Sequence, residues 1–549
     1  MSRNLTEILR AEEPQSPPTA LDVLKDAVAD HGELTDDDRR RAARLSGLPE
    51  AAVYGISSFY DDLLAPRGRR HVSVCTGTAC WAADFGEHVG AVQDALGLSL
   101  GERSADHGIS LGQTVCLGFC HTGAALREGD LVDAGPDVVR RVAAGSCREA
   151  PEPQGTSMLD EPVLLREGDW SGLRSALERD PAELLAAVKD ANLRGRGGAG
   201  FPAGLKWEFA GRAEGDEKVI VVNADEGDPG SYIDKHLMER SPELLLEGMA
   251  LAGYAVGASR GFVFVRSEYP RSMPILFEAA ERARDAGNLG ADIGGSGFDF
   301  DVEVKEGAGS YVVGEETALL NSLMGLRGTV TARPPFPAER GWHGKPTVVN
   351  NVETLCNVPF IAANGAEAYA ALSPGATSGT KLVCLNERFA SPGMHEVSFG
   401  TPIEVICNTI GGGLVDGHEI KALQIGGPLG GILPGTRLET PFDFDELAAE
   451  GCMVGHGSIV AFDERTDIRA LATHLLEFGA HESCGKCFPC RIGLQRGLEM
   501  VRQDGPVDRA RLEELLETLE LGSLCAHGGG MPAPIRSLIA HFPDELGVA

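Results

Sequence analysis

The spacing of apolar residues changes character several times along this chain, and each change marks a structural unit. Leu21, Val23 and Leu24 share one helical face, and Thr35-Asp-Asp-Asp offers a cap before a further helix, so the pattern predicts helices over about 20–65. A Ser57-Ser-Phe-Tyr-Asp segment ends that unit. From His71 the pattern predicts a strand over 71–74, a helix over 87–96, a strand over 109–115, a hairpin around Glu128-Gly-Asp and a short helix over 137–144. Together these make a small α/β sandwich. Ala150-Pro-Glu-Pro-Gln-Gly-Thr is rich in turn formers and reads as the linker to a second module.

Leu184, Leu185 and Val188 mark one face of a helix over 181–192, and Arg194-Gly-Arg-Gly-Gly-Ala-Gly-Phe-Pro follows it. Gly195, Gly197 and Gly200 have the G-x-G-x-x-G spacing, but a Rossmann fingerprint needs a strand before its glycines and here a helix precedes them. What remains is a glycine-rich loop opening a helix with Lys206 close by, and its N–H groups with that ammonium can cradle a phosphate. A loop that is glycine-rich only to turn tightly is the plainer alternative. A strand over 218–222 delivers Asn223-Ala-Asp-Glu-Gly-Asp-Pro-Gly at its carboxyl end, where ligands gather in open α/β sheets. Another over 298–304 leads to Gly307-Ala-Gly-Ser-Tyr-Val-Val-Gly-Glu-Glu-Thr and a helix over 318–324. On their own, Glu315 and Glu316 read as complements to that helix's dipole. Strands after Lys381, at Gly393-Met-His-Glu-Val and over 402–407, predict a β-rich unit, and from Asp467 the pattern is helical.

Thirteen cysteines sharpen this outline. Cys484, Cys487 and Cys490 stand at two-residue gaps in Glu-Ser-Cys-Gly-Lys-Cys-Phe-Pro-Cys-Arg, with Cys525 downstream in Gly-Ser-Leu-Cys-Ala. Such a run with one remote cysteine suits a [4Fe–4S] cubane. Zinc is the rival, although four-cysteine zinc sites usually draw two ligands from each of two knuckles. A second set, Cys75, Cys80, Cys116 and Cys120, lies in two loops near strand ends and suits a two-iron cluster. Gly77, Gly112 and Gly118 would let backbone N–H groups approach sulfide, while buried thiols or zinc give the competing reading. Cys147, Cys356, Cys384, Cys407 and Cys452 are scattered and take no role.

With 549 residues, 43% of them hydrophobic, and 71 glycines, the chain has material for three or four globular domains with many tight loops. Its 49 Lys plus Arg against 81 Asp plus Glu give a net charge of −32, which opposes sequence-independent nucleic-acid binding. The opening Met-Ser-Arg-Asn-Leu-Thr-Glu-Ile lacks the features of a signal peptide, and the most apolar stretch, 244–265, is interrupted by Glu247 and Arg260. The expected location is therefore the reducing cytoplasm, which disfavours disulfides.

Residues from about 170 to 545 closely resemble the flavin-bearing, NADH-reacting subunit of respiratory complex I and its soluble relatives. The motifs that carry the likeness are Gly195-Arg-Gly-Gly-Ala-Gly-Phe-Pro-Ala-Gly-Leu-Lys-Trp, residues 223–230 and 307–317, Lys345-Pro-Thr-Val-Val-Asn-Asn-Val-Glu-Thr, and both cysteine sets. Residues from about 15 to 148 resemble the thioredoxin-like [2Fe–2S] subunit that accompanies it. Fused chains of this kind occur in NAD-reducing hydrogenases and in NAD-dependent formate dehydrogenases containing molybdenum or tungsten. Val454-Gly-His-Gly-Ser-Ile-Val, Cys525-Ala-His-Gly-Gly-Gly-Met-Pro and His541-Phe-Pro-Asp-Glu-Leu look most like the formate dehydrogenase β subunit.

The resemblance implies an α/β multidomain protein. Its parts would be a helical segment over 1–68, a thioredoxin-like [2Fe–2S] domain over 69–149, a linker over 150–175, a Rossmann-like FMN- and NAD(H)-binding domain over 176–375, a ubiquitin-like β-grasp domain over 376–462 and a helical [4Fe–4S] domain over 463–549. It also implies that Gly195, Gly197, Lys206, Asn223, Asp225, Gly314, Asn350, Asn351 and Thr354 hold FMN, and that Phe201, Phe209, Asp228, Glu316 and Phe336 form the nicotinamide nucleotide site. The [2Fe–2S] cluster would sit on Cys75, Cys80, Cys116 and Cys120, and the [4Fe–4S] cluster on Cys484, Cys487, Cys490 and Cys525. Most relatives have Glu where this chain has Asp228 and Lys where it has Arg333, so either NAD or NADP fits. No side-chain acid or base is needed for the hydride exchange itself, although Glu316 would lie nearby. The chain thus reads as the diaphorase subunit of a soluble formate dehydrogenase, partnered by the molybdenum- or tungsten-containing α subunit. An NAD-reducing hydrogenase or complex I is the alternative, and a non-catalytic iron–sulfur structural subunit is the reading from another class.

Overall fold

The computed structural model describes residues 18–548. Residues 1–17 of the expected helical segment, which include the opening searched for a leader, and Ala549 lie outside them.

Among the described residues four helices come first, Ala20–His31, Asp36–Ser46, Glu50–Ser57 and Asp61–Leu64. Thr19 and Thr35 cap the first two in reciprocal boxes with Asp22 and Asp38. Next, β1 (Arg70–Cys75), β2 (Ile109–Thr114), β3 (Ala125–Glu128) and β4 (Leu131–Ala134) form a sheet in the order β2-β1-β3-β4. β1 and β2 are parallel neighbours, so Cys75 at the end of β1 with Cys80 in the helix Thr78–Asp84 after it, and the loop after β2 with Cys116 and Cys120, lie at the same end of the sheet.

After β5 (Gly155–Ser157) comes a parallel sheet of β6 (Val219–Ala224), β7 (Arg260–Val265), β8 (Asp301–Glu306) and β9 (Thr347–Asn351), in the order β8-β7-β6-β9. Alternate residues of its strands go to different cores. Ile220, Val222, Val263 and Val265 pack with Leu244, Leu245 and Met249 of the helix Pro242–Val256. Val219, Val221, Phe262 and Phe264 pack instead with Leu21, Leu24, Val53, Ile56 and Tyr60. The N-terminal helices therefore cover one face of this sheet, which explains why its strands read as continuous apolar runs.

The third sheet contains β10 (Thr380–Leu385), β11 (Gly393–Ser398), β12 (Ile420–Ile425), β13 (Ile432–Pro434) and β14 (Ser458–Asp463), in the order β13-β12-β14-β10-β11-β5. The segment over 150–175 thus contributes an edge strand through β5, parallel to β11. Two buried carboxylates hold its continuation. Glu396 accepts the N–H groups of Val163 and Leu164 at 3.1 and 3.2 Å, and Glu247 accepts those of Trp170 and Leu173 at 3.2 and 3.0 Å.

One expected strand is not there. Residues 402–407 lead into a helical turn, Val405–Ile410, because Ile403, Ile406 and Cys407 are the buried positions while Glu404 is exposed. That is the three-to-four spacing of a helix, whereas β-branched composition alone had suggested a strand. The chain ends in the packed helices Ile468–His481, Phe488–Arg502, Arg509–Gly522 and Pro532–His541. No helix among the described residues is long and apolar enough to cross a membrane.

Candidate functional site

The glycine-rich loop folds back on itself: the Gly195 N–H donates to the Phe201 carbonyl at 2.9 Å, and the Ala203 N–H to the Leu193 carbonyl at 2.8 Å. The loop Arg194–Gly200 lies against the carboxyl end of β9. A Cβ on Gly197 would stand 2.8 Å from Asn351 Cβ, so only glycine permits that approach. The Arg196 N–H donates to Thr354 Oγ1 at 2.9 Å, and the Asn351 side chain caps the helix Val352–Cys356 by accepting the Thr354 N–H.

The helix Ala203–Arg212 turns Lys206 toward β9, where its Nζ donates to the Val349 carbonyl at 2.9 Å and to Glu316 Oε2 at 3.0 Å. Trp207 Nε1 donates to Asn350 Oδ1 at 2.8 Å. From the end of β6, Asn223 Nδ2 donates to the Gly314 carbonyl at 2.6 Å, and a Cβ on Gly314 would lie 3.1 Å from the Asp225 carbonyl. Burial raises the Asp225 carboxyl well above the usual range; Arg266 opposes this and Glu268 adds to it. Gly195, Gly197, Lys206, Asn223, Asp225, Gly314, Asn350, Asn351 and Thr354 thus converge on one strand-end crevice.

That crevice fits a flavin phosphate and ring. Its loop is stripped of Cβ atoms where the backbone approaches closely, and it has an ammonium with exchangeable partners. Glu315 caps the helix Glu316–Leu323 through Oε2, while its buried Oε1 has no hydrogen-bond partner. Arg196 is fully buried, donates to Tyr369 Oη and lies 4.5 Å over Phe399, yet its Nε and Nη1 are unpartnered.

Of the residues expected at the nucleotide, Phe201, Phe209 and Phe336 are 49%, 52% and 52% exposed, which leaves their faces available for stacking. Arg333 pairs with Glu316 at 2.8 Å and lies 5.9 Å over Phe336. Asp228 faces inward instead, accepting from Tyr311 Oη at 2.7 Å.

Cys75, Cys80, Cys116 and Cys120 are all buried. Cys116 and Cys120 Sγ lie 3.6 Å apart, and Cys80 Sγ donates to the Gly123 carbonyl. A hydrogen bond from Cys80 is the main cause lowering the Cys75 thiol to about 6; burial opposes it, and the Gly77 and Cys116 N–H groups assist. A Cβ on Gly77 would touch Pro229 at 3.0 Å, so the cysteine loops rest directly on the loop after β6. Four buried thiols ringed by N–H donors fit a two-iron cluster.

At the far end, Cys487 and Cys525 begin the helices Phe488–Arg502 and Ala526–Gly530. Burial pushes the Cys490 thiol up to about 12; Ser483 opposes this, and Cys487, Cys525 and Cys484 add to it as neighbours. Cys484 and Cys525 pack in one small core with Val312 and Ala318, beside the strand-end crevice. Sequence reading gave no role to Arg196, Tyr311 and His456, although all three lie inside the quoted motifs.

These features define a flavin- and iron–sulfur-bearing oxidoreductase. Residues 188–360 match the "Nuo51 FMN-binding domain", residues 470–548 the "NADH-ubiquinone oxidoreductase-F iron-sulfur binding region" and residues 5–132 the "Thioredoxin-like [2Fe-2S] ferredoxin". The chain is 43% identical over 392 residues to the HndC component of the NADP-reducing hydrogenase of Solidesulfovibrio fructosivorans, covering 70% of this chain and 79% of that one. It is 43% identical over 398 residues to the NuoF-type component of the NADH-quinone oxidoreductase of Escherichia coli (strain K12), covering 70% and 89%. A solved NAD+-reducing [NiFe]-hydrogenase, in its H2-reduced state, superposes with a TM-score of 0.86 at 31% identity, over 96% of this chain and 92% of that one. The chain belongs to the family of these NADH-reacting, flavin-bearing components, here fused to a thioredoxin-like [2Fe–2S] domain, and its cofactors are FMN, a [2Fe–2S] cluster and a [4Fe–4S] cluster.

Proposed function

We propose that this chain is the component through which a soluble, cytoplasmic multi-subunit enzyme exchanges electrons with NAD(H). The observation that carries the reading is the convergence of the glycine-rich loop, Lys206, Asn223 and Asn350–Asn351 on one strand-end crevice, with a cysteine set packed on either side. FMN, when bound, supplies the exchange between hydride pairs and single electrons. Lys206 and the loop N–H groups hold the phosphate, Asn223, Asp225, Asn350 and Asn351 orient the ring, and Phe201, Phe209 and Phe336 offer faces to the nucleotide. Glu316, paired with Lys206 and Arg333, sets the charge at the pocket mouth. Cys75, Cys80, Cys116 and Cys120 hold the [2Fe–2S] cluster, and Cys484, Cys487, Cys490 and Cys525 the [4Fe–4S] cluster.

The partner we infer is a molybdenum- or tungsten-containing formate dehydrogenase α subunit, supported by the C-terminal motifs around Val454, Cys525 and His541. A second reading, an NAD-reducing hydrogenase, is supported by the structural likeness across the fused chain. Isolation of the native complex separates them. Recovery of a molybdopterin-binding chain with formate-driven NAD+ reduction supports the first, and a nickel–iron pair with hydrogen-driven reduction supports the second.

A further inference from the structure

Between Gly455 and Gly457 an imidazole enters the middle of the molecule. His456 is 5% exposed, and its Nε2 lies 3.1 Å from Asp234 Oδ2 and 3.4 Å from Glu226 Oε1, with Nδ1 4.0 Å from Asp228 Oδ2. Its backbone is held from two directions. Gly455 pairs with Gly198 of the glycine-rich loop, and Lys381 Nζ, itself paired with Glu353, donates to the His456 carbonyl at 3.0 Å.

The three acids also connect outward. Asp234 accepts from Asn351 Nδ2 at 2.8 Å, on the side of the strand-end crevice. Glu226 accepts from Ser231 Oγ and the Ile233 N–H, both at 2.6 Å, and from the Lys235 N–H at 3.0 Å and Tyr269 Oη at 3.2 Å. The same turn reaches the cysteines: Cys116 Sγ meets the Ser231 carbonyl at 3.6 Å, and the Gly230 N–H donates to Cys120 Sγ at 3.3 Å. Beyond this shell, the Arg266 guanidinium donates to the Glu226 and Val115 carbonyls.

Resting on the site assignments above, we propose that His456 is a positioning residue for electron transfer, a buried cation standing between the flavin pocket and the [2Fe–2S] site that makes the cluster easier to reduce. Burial works against the imidazolium, but Asp234, Glu226 and Asp228 outweigh it and raise His456 to about 9. In a low-dielectric core a fixed positive charge favours an added electron on a neighbouring centre. Glu226, Asp234 and His456 could also be taken for a metal site. Four protein donors already occupy the lone pairs of Glu226, which favours a proton on His456 over a metal ion. One electron enters per reduction, and His456 keeps its proton throughout below about pH 9. Above that pH, one proton from solvent accompanies the electron.

The test is a redox titration of the [2Fe–2S] signal, followed by electron paramagnetic resonance, in the full chain with iron and flavin contents measured alongside. At pH 7, His456→Gln should lower the midpoint potential and Asp234→Asn should raise it, a pair of opposite signs that general loosening does not produce. In the unmutated protein the potential should stay level up to about pH 9 and fall above it, by at most about 59 mV per pH unit for a one-electron couple. Unchanged potentials, shifts of the same sign in both variants, or a stoichiometric non-iron metal lost in His456→Gln would overturn the proposal. Absence of the signal from the unmutated protein would take down the cluster assignment itself, and this inference with it.

Discussion

The Gly230 N–H donates to Cys120 Sγ at 3.3 Å, so the segment running from Asn223 at the end of β6 through Asp225 and Asp228 also touches the cysteine set proposed to hold the [2Fe–2S] cluster. Gly230 sits at φ +105°, and a Cβ there would stand 2.6 Å from Val460 Cγ2 and 3.0 Å from Ser458 Cβ. Gly230→Ala should cost about 1–3 kcal/mol through strain and crowding. It should also lower [2Fe–2S] content while sparing the [4Fe–4S] signal, as iron analysis and spin quantitation of the purified variant would show.

Lys206 Nζ reaches the Val349 carbonyl and Glu316 across the mouth of the crevice. Lys206→Ala should leave the fold intact and release most of the FMN, read as loss of flavin absorbance after desalting. Full flavin occupancy in the variant would refute the phosphate role.

Lys381 and Glu353 form an ion pair in which both side chains are wholly buried, joining β10 to the helix after β9. Removing one partner strands the other charge, so Lys381→Met should destabilise the chain by about 3–5 kcal/mol. Lys381→Met with Glu353→Gln should recover part of that loss in denaturant unfolding. Equal instability of the single and double variants would argue against the pair as the cause.

The candidate site is legible in outline because its residues cluster in sequence: Cys484, Cys487 and Cys490 fall in one turn and the start of the helix after it, and Gly195 to Lys206 in one turn and helix. His456 was not readable, since Glu226 comes to it from the loop after β6 and Asp234 from the helix Ile233–Arg240, through tertiary packing. The apolar run Val219–Val222 signalled a strand, but nothing in it names what covers its two faces. Helices ending near Leu64 provide it, by way of Leu21, Leu24 and Tyr60. The 402–407 misassignment has a related origin, because β-branched residues suit a strand or a buried helical turn and only burial of Ile403, Ile406 and Cys407 decides between them.

His456 also ties stability to pH. Its folded value of about 9 lies above the ordinary 6.5, so its contribution is fully present below 6.5 and is lost as pH rises through about 9. The unfolding midpoints of the unmutated protein and His456→Gln should therefore differ most at about pH 6.5 and below, and converge toward pH 10. A gap that stays constant across that range would contradict the buried imidazolium.

If this chain alone carries electrons from NADH through FMN to two different clusters, NADH added anaerobically to the isolated full chain must reduce all three centres. Absorbance and low-temperature electron paramagnetic resonance should then show bleaching of the flavin and the appearance of one [2Fe–2S] and one [4Fe–4S] signal. In Cys487→Ala only the second signal should disappear, while NADH-to-dye activity is partly retained. A spectrum indifferent to NADH, or stoichiometric zinc in place of iron in anaerobically prepared protein, would rule this electron path out.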